Sequence, residues 1–153
     1  MQTGDRAHLH VGQKSGLVAQ PAVAASWAAL RAAGRGWLTV TLGAPPAGEA
    51  RGAGGGGWGE LAAGLGDADI VFGVCAFELG GQPRFFFFSW VGPAASPIKR
   101  GRVPLLRGGV YALFEGVCAD VSLVEREELP AAAVAARLAK ALPDASRAVT
   151  LAE

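Results

Sequence analysis

Five basic residues, Arg84, Lys99, Arg100, Arg102 and Arg107, fall between Gly80 and Phe114, a stretch with no acidic residue. Elsewhere nine basic residues face thirteen acidic ones, so a net charge of +1 conceals +5 in one segment and −4 in the rest. Such a cluster suits an acidic partner surface. Nucleic acid fits less well, because the whole chain is nearly neutral and the basic residues lack exposed aromatic residues between them.

The other residues able to do chemistry lack the company they need. His8 and His10 form an H-x-H pair with no Cys, Asp or Glu cluster nearby to complete a metal site. Cys75 falls in an apolar strand pattern and Cys118 near a helix end, and neither has a histidine in its neighbourhood to make it a nucleophile. Two cysteines this far apart suggest neither a disulfide framework nor a metal clip. Gly52, Gly54 and Gly57 spell a formal G-x-G-x-x-G. A dinucleotide site needs those glycines directly after a parallel strand, and here about ten residues, including Pro45 and Pro46, separate them from the preceding strand pattern. No nucleophile elbow or phosphate-loop lysine occurs. The expectation is a binding protein without catalysis, cofactor or metal.

The elements that would position the basic residues read as follows. Residues 1–19 form a flexible arm without an apolar leader core, which favours a cytoplasmic location. Pro21 near a helix start, Gly34 as its cap, and Val23, Trp27 and Leu30 on one stripe predict a first helix. Trp37–Leu42 reads as a strand. Residues 43–57, rich in Gly, Pro and Ala, read as a loop in which a strand could survive only as a short edge. A short helix over "WGELAAGL", a strand over Asp69–Leu79, the turn "GGQP" and the run "RFFFFSW" come next.

In that run Phe85 and Phe87 face one way, and Phe86, Phe88 and Trp90 the other. The partner strand is apolar on both faces too, setting Ile70, Phe72, Val74 and Ala76 against Val71, Cys75 and Phe77. Strands of this kind need helices above and below. Lys99, Arg100 and Arg102 then occupy a loop feeding a helix that opens at Pro104, with Leu106, Val110, Leu113 and Val117 on one stripe and Arg107 in its first turn. "DVSLV" forms a further strand and "REELPAAAVAARLAKAL" the last helix. Residues 20–142 thus make a single α/β domain, and 143–153 a C-terminal tail. No run gives the roughly 20 apolar residues of a spanning helix, so no membrane insertion is expected.

Three strings in this order resemble the actin-depolymerising-factor homology family, and its coactosin-like members in particular. "RFFFFSWVG" (Arg84–Gly92) is similar to the family's basic residue and apolar run ending a central strand. "SPIKRGR" (Ser96–Arg102) looks like the basic entry to its long helix, and "GDADIVFGVCAFEL" (Gly66–Leu79) like the acidic turn and strand of the same hairpin. The resemblance spans about Gln20 to Leu142. It implies a mixed five- or six-stranded sheet sandwiched between helices, and a cytoskeletal protein that binds actin filaments without catalysis. It also places Arg84, Lys99, Arg100 or Arg102, and Arg107 at the family's filament-contacting positions. Gly108 and Gly109 in the long helix and the short "GGQP" turn depart from the family pattern. They leave open an alternative, an interaction subunit of a non-actin assembly such as a microtubule-based or ciliary structure.

Overall fold

The computed structural model describes residues 10–11, 18–43, 48–142 and 148–152. At its centre is the hairpin of β5 (Ile70–Leu79) and β6 (Gln82–Val91), paired through ten residues from Ile70 opposite Val91 to Leu79 opposite Gln82. The two residues between them, Gly80 and Gly81, both have positive φ (59° and 81°), as the tight turn matching a strand pair's twist requires. On one side β5 pairs antiparallel with β3 (Trp37–Leu42), which pairs antiparallel with β4 (Gly48–Gly54). On the other, β6 pairs in parallel with β7 (Ala119–Leu123). These five strands form the expected mixed sheet. Three two-residue strands extend it: β1 (His10–Val11), β2 (Val18–Ala19) beside β4, and β8 (Val149–Thr150) on the end of β5. Short strands therefore occur in both the segment read as an arm and the segment read as a tail.

Helices cover both faces. α1 (Pro21–Ala33) and α3 (Pro97–Tyr111) lie on one, α2 (Trp58–Ala62) and α4 (Ala131–Ala141) on the other. The phenylalanine run divides between the layers by its period of two. Phe85 and Phe87 join Phe72, Val74, Trp27 and Val110, while Phe86, Phe88 and Trp90 join Trp58, Val71, Cys75 and Leu138. Phe86, Phe87 and Phe88 are wholly enclosed, which removes the hazard of an exposed aromatic strand. Each of the four tryptophans has a partner for its indole N–H: Trp27 donates to the Glu115 carbonyl, Trp37 to Glu60 Oε1, Trp58 to the Leu129 carbonyl and Trp90 to the Gly66 carbonyl.

The last helix begins at Ala131, after a separate 3-10 turn over Arg126–Glu128, rather than at Arg126. Two further elements differ from the sequence reading. Residues 48–54, read as part of a loop, form the seven-residue strand β4. Its small side chains are a packing requirement: the Trp37 indole lies over Gly54, where a Cβ would come within 2.7 Å of Nε1, and a Cβ on Gly48 would meet Ala19 and Leu113. A register shift between Thr39 and Val40 leaves Arg51 outside the pairing, and its guanidinium reaches the Gly64 carbonyl and Asp69. The second difference is α3, which starts at Pro97 rather than Pro104 and ends at Tyr111. Ser96 caps it, its Oγ accepting from the Lys99 backbone N–H at 3.3 Å, with Pro97 in the first turn, where a missing N–H costs nothing. Leu113 and Val117 of the expected stripe lie beyond its end, though Leu113 remains in the core.

Candidate functional site

The shift in the start of α3 relocates the basic cluster. Lys99, Arg100 and Arg102 lie within the first two turns of the helix, not in a loop before it, and no acidic side chain accompanies them in the first turn. Cations there oppose the helix dipole, at roughly 0.3–1 kcal/mol each, so their placement does not serve the helix. Neither the Lys99 ammonium nor the Arg102 guanidinium has a hydrogen-bond or ion-pair partner among the described residues, and both residues are exposed.

The other three basic residues have different surroundings. Arg100 donates through Nη2 to the carbonyls of Gly92 (3.1 Å) and Pro93 (3.0 Å), tying the helix entry to the end of β6. Arg107 is held more firmly. Nε donates to Ser89 Oγ at 3.0 Å, Nη1 to Asp120 Oδ2 at 2.7 Å and Nη2 to Asp120 Oδ1, while the guanidinium lies 5.2 Å from the centre of the Phe87 ring. This fork-on-carboxylate geometry clamps α3 onto β6 and β7. Arg84 sits at the opposite end of β6, seven residues and so about 23 Å from Val91. There it donates to the Pro83 carbonyl at 2.8 Å. The structure thus brings Lys99, Arg100 and Arg102 together, engages Arg107 internally and sets Arg84 apart.

The outer face of α3 adds side chains that the charge pattern did not single out. Ile98 is 73% and Leu105 78% exposed, seven residues apart and so on one side of the helix. Gly101 and Gly108 lie on the same side, where an added Cβ would meet nothing within 4 Å. An apolar pair at i, i+7, out of phase with the Leu106–Val110 stripe, was the available signal. The result is an uncovered stripe bordered by the free cations.

The remaining motifs do not assemble a reactive centre. Burial pushes the Cys75 thiol up to about 12, so it stays protonated at neutral pH. Cys118 is exposed; partial burial raises its thiol as well, partly offset by the nearby charge of Arg84. Gly52 and Gly54 belong to β4, and the N–H of Trp58 at the start of α2 donates to the Ala152 carbonyl at 2.6 Å, which closes that helix end to a phosphate. His8 lies outside the described residues. Among the described residues no three His, Cys, Asp or Glu side chains are grouped to hold a metal, and no helix is long and apolar enough to cross a membrane.

No protein-family model matches the sequence, and no curated protein does. Solved structures match the fold. Cofilin from Streptomyces griseoflavus superposes with a TM-score of 0.74 at 11% identity, over 83% of this chain and 100% of that one. Human coactosin-like protein gives 0.69 at 17% identity, over 78% and 95% of the two chains. Mouse coactosin, described as an actin filament binding protein, gives 0.66 at 17%, over 82% and 91%. The chain has the fold of the actin-depolymerising-factor homology domain, the fold that cofilin and coactosin share.

Proposed function

We propose that this protein binds actin filaments in the manner of a coactosin, without catalysis, through the outer face of the N-terminal half of α3. The observation that carries the reading is the uncovered stripe of Ile98 and Leu105 beside two unpaired cations, Lys99 and Arg102, on a fold found in actin-binding proteins. Apolar side chains supply the buried contact, and the cations steer association with an acidic surface. Arg100 contributes where its carbonyl contacts allow, Arg84 forms a separate contact at the far end of β6, and Arg107 supports the helix from beneath. The test is co-sedimentation with filamentous actin at low and near-physiological salt, beside a tubulin control. Pelleting that weakens with salt, and that the K99E/R102E variant loses with no fall in melting temperature, is the expected outcome. Retention of the wild-type protein in the supernatant at both salts overturns the reading.

A second reading is favoured by Gly101 and Gly108, which leave the outer face of α3 sparse. On that reading the domain serves as an interaction module of a non-actin assembly, and a pull-down recovers one dominant partner other than actin.

A further inference from the structure

The inner side of the same helix end encloses a second feature. Between the N-terminal half of α3 and the ends of β3 and β5 lies a cleft of about 370 Å³, within the roughly 300–1,000 Å³ typical of small-molecule sites. Leu42, Ile70 and Leu106 contribute aliphatic walls, and Thr41, Lys99 and Arg102 contribute a hydroxyl and two cationic groups. We infer that this cleft binds a small amphipathic organic anion, its aliphatic body against the walls and its single anionic head between Lys99 and Arg102.

Three observations lead there. Arg51, Arg107, Arg126 and Arg137 each have a carboxylate partner; of the described basic side chains without one, Lys99 and Arg102 are the two that line this cleft. An anion between them relieves their mutual repulsion and their opposition to the dipole of α3 together. Asp69, the acid in the lining, is already committed: it accepts from the Gly66 N–H at 2.7 Å and pairs with Arg51 at 3.5 Å, so its charge is compensated from outside the cleft. The walls then discriminate against a bare inorganic ion, because only a ligand with an apolar body buries their aliphatic surface. A second cleft of about 310 Å³, bordered by Trp58, Ala62 and Pro130, provides the contrast. Its one cation, Arg126, is bound to Asp67 at 2.7 Å and to the Leu65 carbonyl at 2.6 Å, so it offers an anion no free charge.

The test is titration of the isotopically labelled full chain with octanoate, octyl phosphate and neutral octan-1-ol, each below its aggregation limit, read from backbone amide shifts. Saturable shifts at Thr41, Leu42, Ile70 and Val103 are expected with the anions, at least tenfold weaker with octan-1-ol and in the K99Q/R102Q variant. Binding of either anion supports the site, and the tighter of the two identifies its head group. No saturable shift, equal binding of the alcohol, undiminished binding by the variant, or equal shifts around Trp58 and Pro130 would each overturn it. Actin is absent from the measurement, so this inference and the filament reading fail independently.

Discussion

Arg102 and Arg107 lie five residues apart on one helix, and their circumstances are opposite. Arg102 extends from the N-terminal half of α3 with no partner among the described residues, whereas Arg107 is held by Asp120, Ser89 and the Phe87 ring beneath the C-terminal half. The two halves of α3 thus divide the labour: one end anchors the helix to the sheet, and the other is left free to meet something else. A positive charge in a sequence therefore carries no function by itself. What decides its use is whether the fold brings a carboxylate to it, and here that carboxylate comes from β7, thirteen positions beyond Arg107.

The contrast can be broken most directly at its anchored end. Arg107→Ala removes a bidentate pair and a cation–π contact; because the pair is partly exposed, the expected loss is about 1–2 kcal/mol. For a domain of this size that lowers the melting temperature by roughly 2–8 °C in a thermal unfolding experiment. Arg102→Ala should leave stability within about 0.5 kcal/mol, and an equal effect of the two changes would erase the distinction. Gly101→Ala and Gly108→Ala come next, each adding about 0.5–1 kcal/mol of stability, since a methyl group at either position meets open space and the helix gains propensity. Sharper still, Leu105→Ser should weaken filament co-sedimentation with little change in melting temperature, because that exposed side chain stands on the proposed contact stripe.

The effect that is smallest near neutral pH, and that emerges only in the alkaline range, concerns the buried layer under α4. With its folded pKa raised to about 12 from 9.0, neutral Cys75 favours the folded state fully below pH 9, and that contribution is lost as pH rises towards 12. Cys75→Ala should flatten the alkaline fall in stability, and in the native protein a thiol reagent should modify Cys118 alone.

Much of the fold was legible in strict alternation. The residues from Phe85 to Trp90 separate into two layers with no exception, because a strand enclosed on both sides has one way to distribute its side chains. β4 was illegible for the converse reason: nothing in "GEARGAG" favours a strand, and its identity comes from neighbours that demand small residues, Trp37 above all. The start of α3 was written in Ser96–Pro97, yet Pro104 competes as a start signal. An interior proline cannot donate to the carbonyl four residues back, and here Val103 and Val110 hold the helix through it by packing. The charges of the candidate face were visible, but their partners were not. Asp120 and Ser89 approach Arg107 only once β6, α3 and β7 have closed into a parallel unit.

That closure also imposes an order of events. The β5–β6 hairpin is local, turning through two glycines, and hairpins of this kind close in about 1–10 μs. The parallel pairing of β6 with β7 must wait for the whole α3 crossover to be in place. A hairpin formed ahead of that crossover leaves the four phenylalanines paired on one edge and uncovered on both faces. The hazard that the finished molecule removes is therefore concentrated in a brief stage of its assembly, and slowing the docking of α3, as loss of the Arg107 clamp should, lengthens the time in which another chain could add to that strand.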